Sequence, residues 1–219
     1  MQKKPEAILF DLDGTLVDTA PDLLAAINHL RLSYSLPLLS PAEARPLISF
    51  GSKTIMKEVL GVGEDDERFP ILREQLFKFY DARLANETVF FPFVNEVITY
   101  CKENQLPWGI VTNKLTRHTK PLLQQMPFST PPDCVVCGDT LATCKPDPEP
   151  VRYACKLLGK EPAQCWFVGD SIADMQASRA AGTRSILAAY GYLPEDVDIN
   201  LWQADAVIHS PKQLLDLLC

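Results

Sequence analysis

Ile8-Leu9-Phe10-Asp11-Leu12-Asp13-Gly14-Thr15-Leu16 is the stretch on which the fold turns. An apolar run of strand formers delivers two carboxylates, one residue apart, into a Gly-Thr turn. Side chains two apart on a strand share a face, so Asp11 and Asp13 would point together if the strand continued. Gly14 supplies the backbone freedom for a sharp exit instead. Like charges that close repel, and packing alone gives no reason to pair them. A divalent cation does: hard carboxylate oxygens suit Mg²⁺, which takes few protein ligands and keeps several waters. A solvated Asp-Gly turn at a strand end is the plainer reading. It gives way only if other stretches bring a third carboxylate and a cation to the same place.

Outward from that stretch the chain falls into two patterns. Thr19 and Pro21 open an amphipathic segment, residues 21–34, with Leu23, Leu24, Ile27, Leu30 and Leu32 at mostly helical spacing. Ser40-Pro41-Ala42-Glu43 is a capping-box signature with Pro at the first helical position. Gly51-Ser52-Lys53 starts another helix, and a further one spans 71–84 with its stripe on Leu72, Leu76, Phe79 and Tyr80. Residues 18–86 therefore read as an all-helical block with no strand. Beyond them short apolar strands (108–112, 134–137, 165–168, 185–189, 206–208) alternate with helices (94–103, 116–126, 149–158, 174–181, and one from Ser210). That alternation calls for a parallel sheet covered on both faces. The first strand, 7–12, belongs to the same sheet. The expected fold is α/β: a Rossmann-like, doubly wound parallel-sheet core from 1–17 and 87–219, with the all-helical subdomain 18–86 inserted after the first strand.

Composition narrows the function. The 219 residues are 47% hydrophobic, enough for a sizeable core, and carry a formal net charge of −7 without a basic run. That argues against a nucleic-acid or anionic-membrane surface. No apolar stretch approaches the ~20 residues of a membrane span. Met1-Gln2-Lys3-Lys4-Pro5-Glu6 leads straight into the first strand, which leaves no room for a signal peptide and predicts a cytoplasmic protein. The seven cysteines have no disulfide-framework spacing, and Cys134-Val135-Val136-Cys137 reads as a buried strand rather than half a zinc site. His29, His118 and His209 are scattered, as expected of surface or packing residues; Trp108 and Trp166 sit on strands, and Trp202 lies in a loop.

Functional groups of an open parallel sheet collect beyond the carboxyl ends of its strands, near the point where strand order reverses. Those ends carry Asp11 and Asp13, then Thr112-Asn113, then Gly169-Asp170-Ser171 with Asp174 a turn further on. Lys145 precedes them in a loop stiffened by Pro146 and Pro148. Four converging carboxylates need compensation, and one Mg²⁺ with the Lys145 ammonium supplies three positive charges. The remaining space suits a phosphate held by donors.

Asp11-Leu12-Asp13-Gly14-Thr15, Thr112-Asn113, Lys145 and Gly169-Asp170-Ser171-Ile172-Ala173-Asp174 resemble, in order, the four motifs of the haloacid dehalogenase-like superfamily of hydrolases. The likeness covers essentially the whole chain, and 18–86 resembles that superfamily's small helical cap. It implies that Asp11 is a nucleophile forming an aspartyl-phosphate, and that Asp13 protonates the leaving alcohol and then deprotonates water. Thr112, the Asn113 backbone N–H and Lys145 would hold the phosphoryl oxygens, with Gly14 and Thr15 lining the phosphate site. Asp11, Asp13 through its carbonyl, and Asp170 would ligate Mg²⁺, with Asp174 either a water-mediated ligand or an orienter of Lys145. Members that cleave carbon–halogen or carbon–phosphorus bonds lack an acid two residues after the nucleophile, so Asp13 points to phosphate esters.

The cap sets substrate choice in such an arrangement. The expected contact stretch is Ser49-Phe50-Gly51-Ser52-Lys53, with Gly51 allowing close approach and Ser52, Lys53 and Arg45 able to bind a second polar or anionic group. The stretches 10–23, 106–114 and 167–177 are similar to bacterial phosphoglycolate phosphatases. The tail from Ala181 to Asp205 is also similar to N-acetylmuramic acid 6-phosphate phosphatases. The expected substrate is a small phosphorylated metabolite: phosphoglycolate or a similar phosphorylated acid, with the amino-sugar phosphate as the alternative and a β-phosphoglucomutase-like phosphomutase as a further one. The expected state is a monomer or homodimer. Where many relatives carry Pro-Gly-Val before the helix after the cap, this chain has Pro92-Phe93-Val94.

Overall fold

The apolar residues of β1 (Ala7–Phe10) are all buried, and their alternation serves two cores at once. The computed structural model describes residues 4–48 and 51–219. β1 lies inside a six-stranded parallel sheet with β4 (Trp108–Val111), β5 (Cys134–Val136), β6 (Cys165–Gly169), β7 (Arg184–Ala188) and β8 (Ala206–Ile208), in the order β5-β4-β1-β6-β7-β8. Ile8 and Phe10 face a cluster built with α5 (Val94–Glu103) and α9 (Pro211–Leu218). Ala7 and Leu9 face a second cluster built with α7 (Glu149–Leu157) and α8 (Ile172–Ala181). The order of the strands reverses at β1, between β4 and β6, so the crevice of this sheet opens where Asp11 ends the central strand.

β1 stops short of the expected Leu12. The N–H of Asp11 still donates to the Val168 carbonyl (2.9 Å), but the chain then curls and the N–H groups of Leu16 and Val17 converge on the Leu12 carbonyl (3.0 and 3.1 Å). Gly14 adopts φ +85° there. The helices α1 (Ala20–Ser33), α2 (Pro41–Ile48), α3 (Gly51–Leu60) and α4 (Phe69–Asp81) follow, and α1, α3 and α4 share a separate core of residues such as Ile27, Met56, Leu72 and Leu76. Ser40 and Glu43 form the expected capping box, with both the N–H and the hydroxyl of Ser40 donating to Glu43 Oε2 (2.8 and 2.7 Å).

The junction with the sheet carries structure that periodicity did not predict. β2 (Val17–Asp18) pairs antiparallel with β3 (Val89–Phe90), so the entry and exit of the helical block form a short ribbon. Two-residue strands contribute little, and the junction is held by a side chain instead. Asp22, fully buried on α1, accepts from the N–H groups of Glu87 and Thr88 and from the Thr88 hydroxyl (2.8 Å). Phe93 sits at the start of α5 with φ +71°, a left-handed conformation that is costly for an aromatic residue and free for glycine. That accounts for the glycine in the Pro-Gly-Val pattern. Trp202 is not a free loop residue: it closes a 3₁₀ turn (Ile199–Trp202) and is buried against Met175 and Leu187. α6 (Thr116–Gln125) follows β4 and completes the helices among the described residues.

Asp22→Ala would strand the buried N–H and hydroxyl of Thr88, each costing about 1–3 kcal/mol, and free the part-buried N–H of Glu87. The expected loss is ~2–4 kcal/mol of unfolding free energy, read as a lower urea midpoint at unchanged slope, with Asp22→Asn losing less.

Candidate active site

The carboxyl ends of β1, β4 and β6 bring the expected residues to one cleft: Asp11, Asp13, Thr112, Asn113, Lys145 and Asp170 all line it. Lys145 is buried and donates to Asp11 Oδ1 and the Val111 carbonyl, both at 2.7 Å. Its Nζ also lies 2.7 Å from Asp174 Oδ1. Asn113 explains how a loop residue is placed so closely: its side-chain amide donates to the Lys145 carbonyl (2.9 Å) and accepts from the Lys145 N–H (3.0 Å). Asp174 is fixed from its other oxygen, which accepts from the N–H and hydroxyl of Ser171 (2.9 and 2.6 Å). That capping box starts α8 at Ile172, earlier than the expected Asp174. The contact with Lys145 is the geometry of the orienter reading of Asp174, and its place beside Asp11 and Asp170 leaves the metal-ligand reading open as well.

Asp13 has a cation of its own. Lys114 Nζ donates to Asp13 Oδ1 (2.9 Å), the Thr19 hydroxyl donates to the same oxygen (2.6 Å), and the ammonium lies 4.6 Å from the centre of the Tyr80 ring. The charge count made from sequence, with Lys145 as the single compensating side chain, is corrected by this pair. Lys114 followed the Thr112-Asn113 motif as an ordinary polar residue, and nothing local signalled a partner 101 positions away.

Gly14 and Thr15, expected at the phosphate site, are not among the residues that line the cleft. The Thr15 hydroxyl donates to Asp170 Oδ1 (3.0 Å), and the Gly14 N–H donates to the Val17 carbonyl (3.0 Å). Gly14 is required for space: a Cβ there would stand 2.2 Å from Asp170 Oδ2. Tyr192, absent from the sequence-derived site, completes the support of Asp170. Its N–H donates to Asp170 Oδ2 (2.8 Å), while its hydroxyl donates to Asp18 (2.8 Å) and accepts from the N–H groups of Thr19 and Ala20 (2.7 and 3.0 Å).

The helical block roofs the cleft, with a different set of residues from the one expected. Gly51 and Ser52 line it; Arg45 and Lys53 do not. Arg45 pairs with Asp18 and stacks over Tyr192, and exposed Lys53 pairs with Glu64 (2.6 Å). Both charges have acidic partners that sequence spacing did not pair with them. Ser49 and Phe50 of the expected contact stretch lie outside the described residues. Arg73, Phe77 and Tyr80 of α4 line the cleft instead. His118 of α6 is buried, the packing alternative of the two expected for it, and its Nδ1 is 2.8 Å from Asp81 of α4. Arg117 reaches Asp81 (2.6 Å) and Glu74 (2.9 Å), so α6 grips α4 at two points.

Burial and mutual repulsion dominate the acids. Burial pushes the Asp11 carboxyl up to about 7, against the pull of Lys145, and Asp174 and Asp13 push it further up. Asp170 is raised well above the usual carboxylate range by burial and by Asp11 and Asp174. Lys114 and Lys145 stay protonated because these carboxylates outweigh the burial of each ammonium. Oxygens of Asp11, Asp170 and Asp174 lie within 4.8 Å of one another. Asp174 Oδ1 is buried and makes no hydrogen bond, having only its ionic contact with Lys145. Three carboxylates against one ammonium leave two negative charges, the charge of one divalent cation, and all-oxygen donors fit such an ion. The side chain of Asp13 stands outside this cluster.

A sequence profile of the haloacid dehalogenase-like hydrolases matches residues 8–188. The chain belongs to that family. It is 34% identical over 214 residues to the N-acetylmuramic acid 6-phosphate phosphatase of Pseudomonas aeruginosa, covering 97% of this chain and 94% of that one. It is 37% identical over 210 residues to the phosphoglycolate phosphatase of Xanthomonas campestris pv. campestris, covering 96% and 95%. A crystal structure of a predicted phosphoglycolate phosphatase from Haemophilus somnus superposes with a TM-score of 0.88 over the full length of both chains at 28% identity. The α/β architecture is therefore that of a known hydrolase family. Among the described residues no helix is long and apolar enough to cross a membrane.

Burial pushes the His118 imidazole down to about 4 despite Asp81, with Lys114 pushing the same way. The unfolded chain binds that proton more readily, so folded stability is expected to fall as pH drops from about 6.5 towards 4. Urea unfolding across that window should show a smaller loss in His118→Gln than in the parent, since the substituted side chain has no proton to take up.

Proposed function

We propose that this hydrolase is a Mg²⁺-dependent phosphatase working through an aspartyl-phosphate on Asp11, with phosphoglycolate or a similar small phosphorylated acid in the cytoplasm as substrate. The observation that carries the reading is the pairing of the two leading acids with separate lysines. Lys145 pins Asp11 Oδ1, and Lys114 with Thr19 pins Asp13 Oδ1. Two carboxylates two residues apart are thereby given different environments, which is how acid and base roles are divided.

Asp11, oriented by Lys145, attacks phosphorus as the bond to the leaving alkoxide breaks. Asp13 gives that alkoxide its proton; with Oδ1 held by two donors, the proton travels on Oδ2. Asp13 then takes a proton from water, whose oxygen attacks phosphorus, and Asp11 is released with inorganic phosphate. Thr112, the Asn113 N–H and the Lys145 ammonium stabilise the phosphoryl oxygens as charge spreads. Asp11, Asp170 and Asp174 would hold Mg²⁺, which when bound offsets charge on the phosphoryl group. The helical roof covers the leaving group and limits bulk solvent at the reacting phosphorus, while one water enters for the second step.

A second reading, hydrolysis of N-acetylmuramic acid 6-phosphate, is favoured by the similarity to the Pseudomonas protein along nearly its whole length.

Phosphate release from a panel of esters with Mg²⁺, compared by kcat/KM, tests the proposal. Stoichiometric release from phosphoglycolate or the amino-sugar phosphate, lost on chelation and restored by Mg²⁺, is expected. Exchange between sugar phosphate isomers without release would make the chain a mutase, and no release from any ester would end the reading. Asp11→Asn is expected to have no detectable turnover. Lys145→Met should lose roughly 10²–10³-fold, the worth of a preorganised donor. Lys114→Met should lose ~10²-fold on alkyl phosphates through the acid role of Asp13, and less on p-nitrophenyl phosphate, whose leaving group needs little protonation.

A further inference from the structure

Three cationic side chains line the cleft: Lys114, Lys145 and Arg73. Two are committed, Lys145 to Asp11 and Asp174 and Lys114 to Asp13. Arg73 has no carboxylate within ion-pair distance among the described residues. Its neighbour in sequence, Glu74, pairs with Arg117 instead. Arg73 is nevertheless held in place. Its Nε donates to Ser52 Oγ (2.9 Å), and its guanidinium carbon lies 4.8 Å from the centre of the Phe77 ring. With Nε occupied and one face covered, the terminal Nη1 and Nη2 form a fork with no hydrogen bond to other described residues. A fork of that kind matches the two oxygens of a carboxylate.

The rest of the roof is apolar, with Ile55, Leu76 and Phe77 around the arginine. One guanidinium in such walls balances a single negative charge; a second phosphoryl dianion would remain half-compensated. We propose that Arg73, positioned by Ser52 and Phe77, binds a carboxylate on the alcohol portion of the substrate. The substrate class is then phosphate monoesters of hydroxy acids and of carboxylate-bearing sugars. This deepens the phosphatase reading and rests on it. Phosphoglycolate and N-acetylmuramic acid 6-phosphate share that chemistry, each carrying one carboxylate on the part that leaves.

Pairs of esters test it, each an acid and a neutral counterpart: phosphoglycolate against ethyl phosphate, in which a methyl replaces the carboxylate, and N-acetylmuramic acid 6-phosphate against N-acetylglucosamine 6-phosphate, which lacks the carboxylate-bearing lactyl ether. The parent is expected to prefer the acid in at least one pair by roughly 10- to 100-fold in kcat/KM, the range of a charge-assisted hydrogen bond. The pair that shows the preference identifies the source of the carboxylate. In Arg73→Met that ratio should fall towards one, chiefly through KM of the acid. Arg73→Lys should keep part of it, and Ser52→Ala should lower it less than Arg73→Met. Taking a ratio within each protein cancels any loss of folded enzyme. A parent without preference in either pair, or an Arg73→Met that keeps the parental ratio, overturns the proposal while leaving the hydrolase standing. A parent that hydrolyses none of the four overturns this proposal, and the phosphatase reading falls with it only when every other ester of the panel is inert too.

Discussion

Four carboxylates share one cleft, and the rest of the structure answers to that fact. Buried charge is costly unless it is paired and hydrogen-bonded. Asp11 and Asp174 share Lys145, while Asp13 has Lys114. Asp170 has no lysine; it is met by Thr15 and Tyr192. Four negative charges against two positive ones leave a net charge that a divalent cation among Asp11, Asp170 and Asp174 would offset. The raised Asp11 and Asp170 carboxyls report the same deficit in another form. Glycine is confined by this crowding too, since the chain at position 14 passes too near Asp170 to carry a side chain.

The same hydrogen bonds join the sheet to the helical block. Thr19 opens α1, yet its hydroxyl goes to Asp13 rather than to a helix cap. Its N–H goes to the Tyr192 hydroxyl, and the Tyr192 N–H goes to Asp170. Two of the reacting-centre acids are therefore tied to the first turn of the roof. Asp22 fastens the return of the chain, and the Asp81 contacts with Arg117 and His118 fasten the far side. A two-residue ribbon would be a weak junction by itself; the buried side-chain bonds around it make it a defined one.

Much of this was legible because the signals are local. Short apolar runs closed by Asp11, Thr112 or Asp170 say strand, then site, within a few residues. Ser40 with Glu43 announced a helix start, and α1, α3 and α4 were readable from their apolar stripes. What misled were side chains whose partners are remote. Arg45 and Lys53 looked like free cations near a turn until Asp18 and Glu64 took them. Arg73 carried no signal of its own on α4, whose reading rested on the apolar stripe alone. Thr15 looked like a phosphate ligand because its motif position cannot show that Asp170, 155 residues on, needs a donor. Trp202 looked unattached because a 3₁₀ turn has no periodicity to read.

The sequence by itself determined the alternation that builds the sheet and the four acids at its edge. Strand and helix propensities act over a few residues, and a parallel sheet then gathers all its strand ends on one side. Only the tertiary structure decided which cations meet those acids and which one in the cleft is left without a carboxylate partner among the described residues. That choice depends on distances between groups a hundred or more positions apart, and electrostatic pairing in a buried cleft is settled by angstroms.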